Sequence, residues 1–219
     1  MTRPLAQYID HTLLKPEAPA EAYDTLLVEA LRHEFASVCV PPAYVRRAAV
    51  ALRGSEVDVC TVISFPFGYV DPEVRIFESA RAIEAGADEL DTVLNISWLK
   101  SGRHEEVLAD LAAWVEAVHG ERDDVVTKVI IETVLLSDDE KRAATELVAR
   151  SGADFVKTST GFAGGGATVD DVALLAEVAG DSLRVKASGG IRDRDDALAM
   201  IRAGADRLGA SSGVAIVTA

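Results

Sequence analysis

Three features of this 219-residue chain predict an α/β fold, a single-domain (β/α)8 TIM barrel spanning residues 1–219. A Gly-Ala-Asp turn recurs at Gly86-Ala87-Asp88, Gly152-Ala153-Asp154 and Gly204-Ala205-Asp206, each time after a periodic apolar stretch and before a β-rich run. Eight β-rich runs can be drawn, which allows about 27 residues per strand-helix unit, enough for a lean barrel with short loops. Helix-start signals fall just after the runs. A doubly wound open sheet shares this rhythm, but no Gly-x-Gly-x-x-Gly follows the first strand, and eight regular units favour closure.

Taken in order, the expected strands are Ile9 to Leu13, Ser37 to Val40, Val57 to Phe65, Glu89 to Asn95, Val125 to Thr133, Phe155 to Ser159, Leu183 to Ala187 and Arg207 to Ala210. The glycine of each repeated turn suits the left-handed position just past a helix C-terminus, so the repeat marks a short helix-to-strand connection. Asp71-Pro72 puts a capping residue before a proline at the first helical position, and Ser137-Asp138-Asp139-Glu140 reads as a capping box. Thr168 before Asp171, and Asp193 before Asp196, are weaker forms of the same signal. No linker or low-complexity segment interrupts the series.

The 36 acidic and 22 basic side chains leave a formal charge of −14. That excludes a nucleic-acid binder held by bulk charge, because phosphate neutralisation needs a basic face. A hydrophobic share of 49% excludes disorder and can build a large core. No uncharged run is long enough to span a bilayer and the N-terminus has no long apolar segment, so a cytoplasmic protein is expected. Cys39 and Cys60 each sit inside an apolar run and read as reduced core residues. The excess of acid over lysine fits a salt-adapted surface, a GC-rich genome, or ordinary solvated helix faces.

The informative residues are charges inside strands. Lys128, Lys157, Lys186 and Asp91 interrupt runs that a barrel surrounds with helices, and half of the six lysines are among them. Buried lysine is rarely tolerated without a partner or a task. Strand alternation puts Lys157 on one face with Phe155 and Ser159, pointing into the barrel mouth, with Lys186 on the next strand close by. Desolvation and a neighbouring cation both favour a neutral amine, which can attack a carbonyl carbon and form a Schiff base. Simple pairing of each lysine with Asp91 or Asp10 is the alternative, and for Lys128 a structural ion pair is as good a reading.

A second set suits phosphate. Ser188-Gly189-Gly190-Ile191-Arg192 follows the seventh strand and Gly209-Ala210-Ser211-Ser212-Gly213 the eighth, where barrels commonly hold phosphate on backbone N-H groups. The loop from Thr160 to Thr168 is richer still in glycine; it reads either as a flexible rim or as a cover whose Gly161 N-H faces phosphate. Cys39 is expected to be a buried thiol, His11 and Asp10 end the first strand, and His104 and the other histidines show no metal-ligand spacing, so no metal is expected.

With these residues marked, the chain resembles the deoxyribose-phosphate aldolase family. The likeness lies in Ile9-Asp10-His11-Thr12-Leu13-Leu14-Lys15, Gly86 to Asp91, Lys128 to Thr133, Ala153 to Gly161, Val185 to Arg192 and Gly209 to Ser212, in order across almost the whole chain. The resemblance implies a class I aldolase without cofactor on a (β/α)8 barrel. It would cleave 2-deoxy-D-ribose 5-phosphate reversibly to D-glyceraldehyde 3-phosphate and acetaldehyde, in deoxynucleoside breakdown, as a homo-oligomer. By motif it makes Lys157 the Schiff-base lysine, Lys186 the second lysine acting on it, and Asp91 the proton donor and acceptor; the strand reading adds Asp10 and Lys128 in support. Phosphate contacts would fall to Gly189, Gly190, Arg192, Gly209, Ser211 and Ser212, to which the loop reading adds Gly161. Two departures stand out. Phe162 occupies a place where some members carry a phosphate-binding lysine, and the chain ends at Ala219 without the C-terminal tyrosine of some members. Rival readings are an acid-base isomerase barrel and a non-catalytic phosphosugar binder.

Overall fold

The computed structural model describes residues 3–219. Eight parallel strands, β1 Ile9–Thr12, β2 Ser37–Val40, β3 Asp58–Ile63, β4 Glu89–Val93, β5 Val126–Ile130, β6 Phe155–Lys157, β7 Arg184–Ser188 and β8 Arg207–Ala210, pair in sequence order. Strand β8 pairs back onto β1, so the barrel is closed. Around it lie α1 Ala20–His33, α2 Val45–Ala51, α3 Pro72–Ala85, α4 Ile96–Lys100, α5 His104–Glu121, α6 Asp138–Ser151, α7 Val169–Ala179, α8 Arg194–Arg202 and the short α9 Gly213–Thr218.

The predicted caps form. Asp71 accepts from Glu73 N ahead of Pro72, Ser137 and Glu140 make a reciprocal capping box, and Thr168 and Asp193 accept from Asp171 N and Asp196 N. The repeated turn does more than end helices. Its aspartate reaches back to the start of the preceding strand, where Asp88 accepts from Val59 N at 3.0 Å, Asp154 from Thr127 N at 2.8 Å and Asp206 from Val185 N at 2.9 Å. Each repeat thus fastens the floor of one strand pair, β3 with β4, β5 with β6 and β7 with β8.

Outward strand residues such as Val38, Leu90, Val129, Val156, Val185 and Leu208 pack beneath the helices against Leu111, Trp114, Leu147 and Leu175. Each fully buried side chain of this kind stabilises the fold by about 1.5–3 kcal/mol relative to exposure. The inward residues differ in kind. Read through the strand registers, they stack in three layers of four contributed by alternate strands. The lower layer is Ser37, Glu89, Phe155 and Arg207; the middle is Asp10, Cys60, Lys128 and Lys186; the upper is Cys39, Asp91, Lys157 and Gly209. Barrels usually fill these layers with branched apolar side chains. Here seven of the twelve are ionisable acids or bases other than cysteine, and all seven are buried.

Candidate active site

Charges in that position survive only in mutual contact, because an isolated buried charge costs far more than a fold can offset. The carboxylate of Asp91 is the hub. Its Oδ1 accepts from Lys128 Nζ at 2.8 Å, and its Oδ2 accepts from both Lys157 Nζ and Lys186 Nζ at 2.7 Å. Lys128 also donates to Glu89 Oε2 at 2.6 Å, and Lys186 is ion-paired with Asp10. Arg207 Nη1 donates to Asp10 Oδ1 at 2.7 Å and to Glu89 Oε1 at 3.0 Å. The pairing reading of the strand lysines holds: every one is paired with a carboxylate, and all three converge on Asp91.

Burial alone would raise the Asp91 carboxyl, but the ammonium groups of Lys128, Lys157 and Lys186 outweigh it and hold it well below the usual range. Asp10 is likewise lowered, with Arg207 first among the cations that overcome its burial. Burial works against charge on Lys186 and Lys128 too. At Lys186 the carboxylates of Asp10 and Asp91 prevail, at Lys128 chiefly that of Asp91, and both lysines are held above the ordinary range. Desolvation and repulsion, which would strip a proton from a lone buried lysine, are thus overcome at Lys186. It is a fixed cation beside Lys157.

Above the upper layer opens a cavity of about 640 Å³. Its wall brings together Lys157, Gly161, Gly189, Gly190, Arg192, Gly209, Ser211 and Ser212, all the residues expected to hold phosphate along with the expected nucleophile. Gly189 and Gly190, both on the cavity wall, have φ near +80°, a conformation that other residues rarely adopt. Gly209 serves a second purpose: a Cβ there would lie 2.9 Å from Ser188 Cβ and 3.3 Å from Lys186 Cε, so its hydrogen makes room for the Lys186 stem.

The glycine-rich loop after β6 is pinned at several points. Ala167 N donates to Ser188 O and Gly189 O at 3.0 Å, Gly166 lies against the Gly189 backbone, and Gly165 lies against Val134. At its start, Glu132 accepts from Thr160 N and from Thr160 Oγ1. Phe162 follows Gly161 on the cavity wall and makes a T-shaped pair with Phe65, ring centroids 5.3 Å apart.

The strand reading missed two residues here. Lys15, in the loop after β1, lines the same cavity and adds a cation to its wall; its place shortly after the first strand was the available signal. Glu132, buried in a left-handed conformation at the end of β5, offered none. His11 points away from the barrel interior, with its Nε2 2.8 Å from Glu29 Oε2, and takes no part in the cavity. Donor atoms of Cys39, Cys60 and Asp91 lie within 4.8 Å of one another, a spacing that suits a metal ion, but Asp91 is already engaged by three ammonium groups.

The family model for DeoC/LacD family aldolases matches residues 5–219. The deoxyribose-phosphate aldolase of Staphylococcus carnosus is 57% identical over 212 residues, 97% of this chain and 94% of that protein. That of Halalkalibacterium halodurans is 56% identical over 218 residues, 99% of this chain and 96% of that protein. Among solved structures, the tetrameric deoxyribose phosphate aldolase of Aeropyrum pernix superposes with a TM-score of 0.90 at 36% identity, covering 98% of this chain and 89% of that one.

Proposed function

The chain belongs to the DeoC/LacD family of aldolases, and on that premise we propose that it cleaves 2-deoxy-D-ribose 5-phosphate reversibly to D-glyceraldehyde 3-phosphate and acetaldehyde, with Lys157 as the imine-forming nucleophile. The observation that carries this reading is the sharing of one Asp91 oxygen by two lysines at the floor of the cavity lined by the loops after β7 and β8.

The neutral amine of Lys157 attacks the C1 aldehyde, and loss of water gives a protonated imine. When the C3 hydroxyl gives up its proton, the C2–C3 bond breaks and its electron pair flows into the imine, forming an enamine and releasing glyceraldehyde 3-phosphate. Protonation of the enamine carbon and hydrolysis then free acetaldehyde and regenerate the lysine. Of the three lysines, Lys157 lines the cavity, whereas Lys128 and Lys186 lie beneath it, held as cations by their carboxylates. Asp91, kept anionic, offsets the charge of the iminium and moves protons to and from the reacting hydroxyl and carbon through a water. Lys15, Arg192 and the amides of Gly161, Gly189 and Gly190 are placed to receive the phosphate.

Incubation with acetaldehyde and borohydride is expected to add one ethyl group to Lys157, located by peptide mass spectrometry. An active protein left unmodified at Lys157 would rule out the covalent reading and favour acid-base isomerisation. The same family reading carries a homo-oligomer and a cytoplasmic setting. Exposed Phe67, Tyr69, Val74 and Phe77 on the β3 loop and α3 support the former, and light scattering tests it. No helix among the described residues is long and apolar enough to cross a membrane.

A further inference from the structure

The ion pairs below the cavity close on themselves. Starting from Arg207, the contacts run to Asp10, to Lys186, to Asp91, to Lys128, to Glu89 and back to Arg207. Cation and anion alternate at every step, so the six-membered ring is neutral by itself. Lys157 is a seventh group, attached only at Asp91 Oδ2. A proton on Lys157 therefore leaves the barrel interior with one uncompensated positive charge, and the neutral amine leaves it balanced.

We infer that Arg207 and Glu89, on the floor of the barrel and away from the substrate cavity, are positioning residues that set the pH at which Lys157 becomes a nucleophile, by completing the neutral ring around Asp91. The inference rests on the reading of Lys157 as the imine-forming lysine. Neither residue is needed to reach substrate. Arg207 holds Asp10 and Glu89 with one nitrogen, and these two carboxylates are what hold Lys186 and Lys128 in place on either side of Asp91. A simple structural plug would be served equally well by apolar side chains; an alternating ring fixes the charge felt by the one lysine attached to it.

Other charged groups face these residues. Lys157 meets Asp91 from β4, on the oxygen it shares with Lys186 from β7, has Cys39 of β2 within electrostatic reach, and shares its cavity with Lys15, Glu17 and Arg192. Arg207 meets Asp10 from β1 and Glu89 from β4, lies with Arg184 of β7 over the Phe155 ring, and acts on Asp58 at the start of β3. Asp58 itself is pushed up to about 6 by burial and by Glu89 and Asp88, so its own titration falls inside the useful pH range.

The test reads the pH dependence of the borohydride-trapping rate at Lys157 in Arg207→Met, in Glu89→Gln and in the double variant, each also in an Asp58→Asn background to remove that titration. Removing the cation leaves the ring negative, so Lys157 holds its proton more tightly and the acidic limb should move up by about one pH unit. Removing the anion should move it down by about the same amount. The double variant restores neutrality and should return the limb to its original place. A merely structural role would slow both single variants without moving their limbs in opposite directions. Limbs that stay in place, or move the same way, overturn the inference. If Arg207→Met does not fold, the downward shift in Glu89→Gln and its reversal in the double variant decide the matter. Absence of trapping in the unaltered protein at every pH would instead refute the Schiff-base reading itself.

Discussion

Lys186→Met removes the cation nearest the proposed nucleophile, and the structure sets the size of the effect. Lys157 Nζ and Lys186 Nζ each lie 2.7 Å from the same Asp91 oxygen, so the two nitrogens are at most about 5.4 Å apart. At an effective dielectric near 20, two unit charges at that distance repel by about 3 kcal/mol, equivalent to about two pH units. Without Lys186 that repulsion vanishes, Lys157 holds its proton more tightly, and the acidic limb of imine trapping should rise by about two units. Below the new limb the trapping rate drops tenfold per unit, so the loss reaches about 100-fold. The fold should survive: Asp10 keeps Arg207 and Asp91 keeps Lys128 and Lys157, so no carboxylate is orphaned. The assay is the rate of ethyl incorporation at Lys157 across pH, which needs no proton relay to the substrate hydroxyl. A limb that stays where it was, in a variant with an unaltered circular dichroism spectrum, would refute the electrostatic role of Lys186.

Gly209→Ala pushes a methyl group to 2.9 Å from Ser188 Cβ and 3.3 Å from Lys186 Cε, an overpacking expected to cost about 1–3 kcal/mol and to lower kcat by displacing Lys186; unchanged Tm and kcat would contradict it. Asp58 is an acid raised from 3.8 to about 6 in the folded protein, so its charged form costs stability as pH rises through that window. Asp58→Asn should therefore stabilise the protein by about 1 kcal/mol at pH 7.5, a figure reduced for its partial exposure, with the gain absent below pH 4 in thermal melts. Phe162→Lys puts a cation beside Gly161 on the cavity wall. It should lower KM for 2-deoxyribose 5-phosphate about fivefold, the worth of one exposed charge pair near 1 kcal/mol, and leave that for unphosphorylated 2-deoxyribose unchanged. Equal gains on both sugars would show that the phosphate is not held there.

The sequence located all eight strands and placed β2 and β8 to the residue, but it ran several of the others too long, mostly at their C-terminal ends. Val57 to Phe65 shortens to Asp58–Ile63, Glu89 to Asn95 to Glu89–Val93, and Val125 to Thr133 to Val126–Ile130. The cause is common to the three. Apolar, β-favouring residues continue past the ladder, yet the chain there is recruited to build the mouth: Ser64 takes a left-handed turn, Asn95 caps α4, and Glu132 turns to hold Thr160. Tertiary contacts override strand propensity at the end of the barrel where the cavity forms. The pairing of Lys157 with Lys186 was legible because a charge in the middle of an apolar strand is buried by the fold and must there find a partner or a task. Glu89 and Arg207 were not, because each opens its strand and each directly follows a Gly-Ala-Asp turn. A charge in that place looks like the solvated end of a strand. Only the closure of β8 on β1, and the stagger of one residue per strand that closure imposes, brings both to the barrel axis.

The same stagger accounts for a contrast in charge between exterior and interior. The chain carries −14 overall, whereas its inward layers hold four cations and three carboxylates when Lys157 is protonated. An anionic shell does not draw a phosphorylated sugar, so attraction has to be local, and Lys15 and Arg192 sit where the cavity opens. The deeper cations serve a different end. They are fully committed to Asp10, Glu89 and Asp91 and leave no free charge to compete with the loops for phosphate. Two kinds of positive charge are thus kept apart by one layer of the barrel: exposed groups at the cavity mouth, and a closed buried set whose balance is upset or restored by a single proton on Lys157. Salt screens the first within about 10 Å at 0.1 M and scarcely reaches the second, which separates binding from chemistry in their response to ionic strength.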